Sequence, residues 1–128
     1  MKSLFYLISL KSFLTVLFLV SIFLTVSAHT DESAEVAKGK ELFQSKGCVA
    51  CHTIGGGKLT GPDLKGVTER RQEEWLKQWI KSPDTMVFSD PIAKGLLAEY
   101  MVPMPNQGLT DQEVIEMITY LKYEDSKE

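Results

Sequence analysis

Residues Cys48, Val49, Ala50, Cys51 and His52 run as C-x-x-C-H. On one helical turn, positions i, i+3 and i+4 lie on one face, so two thiols and an imidazole can meet one flat surface. This spacing is the attachment signature of a c-type haem. In that use the thiols of Cys48 and Cys51 would add to the two vinyl groups of the haem to give thioethers, and His52 would serve as the proximal iron ligand. Three other uses of these residues compete. A Cys48–Cys51 disulfide would close a very small loop. A thioredoxin-like redox pair would need a βαβ setting, and the pattern offers none. A zinc site would need four ligands, and the only other histidine is His29.

A haem iron held from one side by His52 asks what stands on the other. His29 lies at the expected start of the mature chain, which disfavours a second imidazole. A methionine thioether is the alternative, and it raises the reduction potential. Met86, Met101, Met104 and Met117 are the candidates. Met117 falls on the apolar face of a helix, where packing is its expected job. Met104 stands between Pro103 and Pro105, whose rings restrict the backbone around it. A rigid mount suits a ligand that must stay put, so Met104 is the expected distal ligand and Met101 the second choice.

The elements that must position these groups read as helices. Ser33 to Lys46 carries Val36, Ala37, Lys40 and Phe43 at helical spacing. Acids at its start suit the helix dipole, and Gly47 ends it. Thr53 to Gly66, with Gly55-Gly56-Gly57 and Gly61-Pro62, is loop. Thr68 is the expected cap of a helix bearing Trp75, Leu76, Trp79 and Ile80, stopped at Ser82-Pro83. Asp90-Pro91 opens a short helix, and Thr110 to Glu113 forms a capping box for the last one, expected to reach about Tyr123. The domain is therefore expected to be all-α, with four to five short helices and long loops. That is a thin core for its size. Long loops need an explanation, and a large apolar group at the centre would supply one.

The chain has 128 residues, enough for one domain. Lys2 and Lys11, an apolar run from Ser12 to Thr25 and Val26-Ser27-Ala28 follow the order of a secretory signal. Residues 1–28 are expected to be that signal, and residues 29–128 the functional domain. A retained anchor is the alternative, since Leu4 to Val26 could just span a bilayer. Residues 29–128 carry 12 basic and 17 acidic side chains, which argues against nucleic acid as a partner. Residues 38–71 are net positive and residues 72–128 net negative. Such a dipole can orient a redox partner.

On these residues the chain resembles the class I monohaem cytochromes c, particularly small bacterial ones, over roughly Ala34 to Tyr123. Gly39 and Phe43 resemble the family's N-terminal helix, and Met117 with Tyr120 the C-terminal helix that crosses it. Gly61-Pro62-Asp63-Leu64 resembles the segment whose proline carbonyl accepts a hydrogen bond from the proximal histidine, which implies that Pro62 orients His52. Val102-Pro103-Met104-Pro105 resembles the axial methionine loop. Trp79 resembles a helix residue that packs near the haem and reaches a propionate, although a plain core role fits it equally. Pro83 to Tyr100 is longer than the shortest members need. The resemblance implies an extracytoplasmic, periplasmic one-electron carrier in a respiratory chain, with one covalent haem c. It would be a monomer that exchanges electrons with redox proteins such as a membrane reductase or oxidase, and it would not be an enzyme. A haem subunit anchored to such a complex is one alternative. A gas-binding or peroxidatic protein with an open distal site is another.

Overall fold

The computed structural model describes residues 34–127, so the expected signal at 1–28 lies outside the described residues. Helix α1 covers residues 34–45. A single 3-10 turn, Cys48–Ala50, follows it. Then come α2 (Val67–Arg70), α3 (Glu73–Lys81), α4 (Pro83–Met86), α5 (Pro91–Tyr100) and α6 (Asp111–Asp125). There is no strand among the described residues, and no helix among them is long and apolar enough to cross a membrane. The all-α expectation holds, with more and shorter helices than the periodicity suggested.

Helix α6 organises the core. Its start forms the expected capping box: Thr110 Oγ1 accepts from Glu113 N, and the Glu113 carboxylate accepts from Thr110 N at 2.7 Å. Two backbone donors that have no partner within the helix are thereby satisfied. Val114, Met117, Ile118, Tyr120 and Leu121 are buried on its inner side, in one cluster with Leu42, Phe43 and Leu76. Met117 is 3% exposed and packs there. Helix α1 crosses α6 closely because Gly39 has no side chain: a β-carbon there would fall on Glu116 O and within 2.6 Å of Tyr120 Cβ. Beside that crossing the Phe43 and Tyr120 rings meet at 5.8 Å and 54°.

Two local expectations fail for tertiary reasons. The helix expected from Thr68 to Ser82 is broken, because Arg71 is extended between α2 and α3. Thr68 is not a cap but lies inside α2. Its N–H and Oγ1, with Gly66 N, donate to the Asp125 carboxylate at the far end of α6. An anion from another element thus caps α2, where the helix dipole favours it. Lys65 makes the reciprocal tie, its ammonium donating to the Glu124 and Lys127 carbonyls at the C-terminus of α6.

The stretch from Pro83 to Tyr100 forms α4 and α5. Asp90 caps α5 by accepting from Ala93 N at 2.9 Å, with Pro91 at the first helical position, as expected. Met101 ends α5 in the left-handed region at φ 59°, a conformation that side chains seldom adopt. The segment that follows is tied down at Asn106, which donates to Asp84 at 2.9 Å, and at Leu109, whose carbonyl accepts from Lys81. The α1–α6 crossing is testable. Gly39→Ala is expected to push these helices apart and lower stability by about 1–3 kcal/mol, the range for overpacking, measured as an earlier denaturant midpoint at unchanged slope.

Candidate functional site

The C-x-x-C-H residues close one turn. Cys51 N and His52 N both donate to Cys48 O, at 3.1 and 2.9 Å. Cys48 and Cys51 are free thiols, so no disulfide joins them. Burial pushes the Cys48 thiol up from its ordinary value. The next residues run out as loop and return at Gly61, whose N–H donates to Cys51 O at 2.8 Å. One residue on, the Pro62 carbonyl lies 2.8 Å from His52 Nδ1. As an acceptor, it fixes the tautomer with the proton on Nδ1 and leaves Nε2 the lone-pair nitrogen. Gly61 makes this approach possible: a β-carbon there would stand 2.6 Å from His52 Cε1.

His52 opens on a cleft in two continuous parts. Their empty volumes are about 570 and 940 Å³, counting space open to solvent. The two parts share His52, Pro62, Trp79, Leu96 and Met104. The larger part runs from Cys48 past Trp75 and Leu76 to Arg70 and Arg71. The smaller reaches Cys51 and is walled by Val87, Leu97, Tyr100 and Val102. The long Pro83–Tyr100 stretch is thus a wall of the cleft on the side of Met104.

The four candidate methionines separate cleanly. Met104 lines both parts of the cleft with His52. Met101 is 79% exposed and lines neither. Met86 is buried at 9% and lines neither. Met117 is in the core, with its side chain reaching only the larger part.

Sequence reasoning missed Trp75. Its ring stacks on Trp79 at 5.6 Å, and the Arg71 guanidinium lies 5.6 Å from its centroid. Its buried Nε1–H has no acceptor among the described residues. Asp90 is held below its ordinary value chiefly by Ala93 N–H and in smaller part by this indole, but the pair falls short of hydrogen-bond geometry. An unpaired buried donor costs about 1–3 kcal/mol. At the edge of a large cleft, it fits an acceptor carried by whatever occupies that cleft. No property of the sequence marks Trp75 over Trp79, since both sit on the same stripe.

The residues fit a haem. Two free thiols, an imidazole with one nitrogen already engaged, apolar walls and an orphaned donor near two arginines match a flat apolar ring with acidic substituents. The seven cations of residues 38–71 are less free than their count suggests. Lys38, Lys46 and Lys58 pair with Glu41, Glu113 and Glu99.

The family model of cytochrome c matches residues 36–124. The chain is 28% identical over 123 residues to a nitric oxide reductase subunit of Stutzerimonas stutzeri, covering 83% of this chain and 77% of that protein. It is 34% identical over 82 residues to cytochrome c-551 of Ectopseudomonas mendocina, covering 60% of this chain and 85% of that one. The structure superposes on cytochrome c from Rhodothermus marinus with a TM-score of 0.69 at 28% identity, covering 73% of this chain and 78% of the other. With its fold, its C-x-x-C-H turn at Cys48, Cys51 and His52, and a cleft fitted to the group, this chain belongs to the cytochrome c family, a haem c electron-transfer protein with one covalently attached haem.

Proposed function

We propose that the chain is an extracytoplasmic one-electron carrier of a respiratory chain, with its haem iron held between His52 and Met104. The observation that carries this reading is that Met104, alone among the four candidate methionines, lines both parts of the cleft beside His52. The haem, when bound, supplies an iron that cycles between ferrous and ferric. The protein's own residues do the rest. Cys48 and Cys51 attach the group through thioethers. His52 ligates from one side, held in orientation by Pro62. Met104 ligates from the other, its backbone restricted by Pro103 and Pro105. A ligand set that does not change between oxidation states keeps rearrangement small and transfer fast. A neutral thioether in an apolar cleft disfavours the extra ferric charge and raises the potential. Trp79 packs along the group, and Trp75 offers its unpaired N–H to a propionate.

The proposed compartment rests on the signal-like order of residues 1–28. The second reading, a haem subunit anchored to a larger membrane reductase, draws support from the likeness to a nitric oxide reductase subunit. The two differ in one product: a secreted carrier has a mature N-terminus at His29, and an anchored subunit keeps Met1 and needs detergent. N-terminal sequencing of the purified protein separates them.

Docking is assigned to the positive segment, residues 38–71, facing an acidic redox partner. Transfer is expected to slow as salt rises, and shallowly, because three of its lysines already pair with glutamates. A rate indifferent to ionic strength removes the electrostatic docking.

Ligation is tested by substitution. Met104→Ala is expected to lower the reduction potential and to let carbon monoxide bind the reduced protein, whereas Met101→Ala behaves as wild type. The reverse result reassigns the distal ligand to Met101. Gly61→Ala is expected to displace the His52 ring and cut the yield of protein with a six-coordinate haem spectrum, while Gly95→Ala, where an added β-carbon meets nothing within 4 Å, keeps it.

A further inference from the structure

The loop that brings Pro62 to His52 contains Gly55, Gly56 and Gly57, residues that lose much backbone freedom on folding. Two side chains hold it: the Thr53 hydroxyl, which lies 2.5 Å from Gly57 O, and the Asp63 carboxylate. The Asp63 carboxylate accepts from Thr53 Oγ1 at 2.9 Å, from Gly55 N and Lys65 N at 2.8 Å, and from Gly57 N. These donors hold Asp63 well below the usual carboxylate range, the Gly55 N–H contributing most. Its position matters as much as its bond count. Thr53 follows His52, and Asp63 follows Pro62. The two loop segments that carry the imidazole and its acceptor are therefore tied together just beyond them, by the Thr53–Asp63 contact and by Leu64 N donating to Thr53 O at 2.8 Å. On the outer side the Arg70 guanidinium donates to Asp63 O at 3.3 Å and to Lys65 O.

We propose that Asp63 is a positioning residue for the axial histidine: its carboxylate fixes the Pro62 carbonyl against His52 Nδ1 and so sets the reduction potential. This rests on His52 being the iron ligand. A shorter, straighter bond to the carbonyl makes the imidazole a stronger donor and favours the ferric state, as partners of ligating histidines do generally. Loosening the tie weakens that donation and raises the potential. Asp63 also borders the larger part of the cleft, but its bonds run to the loop and not to His52, so it acts on the ring through Pro62.

A loop staple or a mere negative charge near the iron would look alike on an activity assay, so the test uses other readouts. In the purified holoprotein, Asp63→Asn, Thr53→Val and Thr53→Ser are compared for reduction potential, for exchange of the His52 Nδ1 proton in the reduced protein by NMR, and for denaturant midpoint. Thr53→Val removes the hydroxyl that bridges Asp63 and Gly57 O, and leaves the charge of Asp63. Both Asp63→Asn and Thr53→Val are expected to raise the potential and speed the exchange roughly tenfold, the effect of one lost hydrogen bond of ordinary strength. Thr53→Ser keeps the hydroxyl and restores both readouts. If only Asp63→Asn shifts the potential, Asp63 acts as a charge and the proposal fails. It also fails if neither variant moves the potential, or if only the denaturant midpoint moves. Should Asp63→Asn not fold, Thr53→Val carries the decision alone. A wild-type holoprotein with no histidine-ligated haem spectrum would place the failure in the assignment of His52 itself and would take this proposal with it.

Discussion

An imidazole turns freely about two bonds, and the ring of His52 is stopped by one acceptor, the Pro62 carbonyl oxygen 2.8 Å from Nδ1. Much of the molecule can be understood as what that contact requires. The chain must return to Cys51 after a loop, which the Gly61 N–H to Cys51 O bond achieves. It must do so without a side chain at Gly61, where any β-carbon would meet the ring. The loop must then be held without regular structure, and Asp63 supplies the missing partners for its N–H groups. Beyond Pro62 the strand feeds α2, and α2 is fastened to the end of α6 by Asp125. Orientation at one nitrogen is thereby anchored in the hydrophobic core.

Folding also redistributes the charges. By sequence the domain looks like a dipole, positive first and negative after. The fold joins some of those opposites and pairs other charges within the second half. Lys46 meets Glu113, Lys58 meets Glu99, and Lys122 reaches back to Glu73 at 2.5 Å. Glu73, held also by Lys77, sits at about 2, chiefly through Lys122. These pairs are exposed, so each adds little stability, but together they cancel part of the field that a partner would otherwise feel. Lys58 and Glu99 also join the loop beneath His52 to α5, which walls the opposite side of the cleft.

What could be read from the sequence was local. The C-x-x-C-H turn, the capping box at Thr110 and the Asp90-Pro91 start each depend on a few adjacent residues, and each forms as expected; the proline-bracketed Met104 lines the cleft with His52. What could not be read depends on distant partners. Thr68 has the chemistry of a cap, yet Asp125, 57 residues away, takes that role for α2. The break at Arg71 follows from α2 and α3 packing separately on α6, which no periodicity reports. Trp75 and Trp79 share one stripe, and only the packed structure distinguishes the indole left without an acceptor. Asp63 was legible as part of a motif, but its four bonds needed the loop to be closed first.

Closure of the haem on both sides rests, in the proposed function, on His52 and Met104. Its most direct test is the visible absorption spectrum of the purified, reduced protein, recorded with and without carbon monoxide. The expected result is a c-type haem spectrum that carbon monoxide leaves unchanged. A spectrum that shifts on adding the gas would mean an open iron and contradict the closed carrier, and the absence of a haem spectrum would return Cys48 and Cys51 to thiol chemistry.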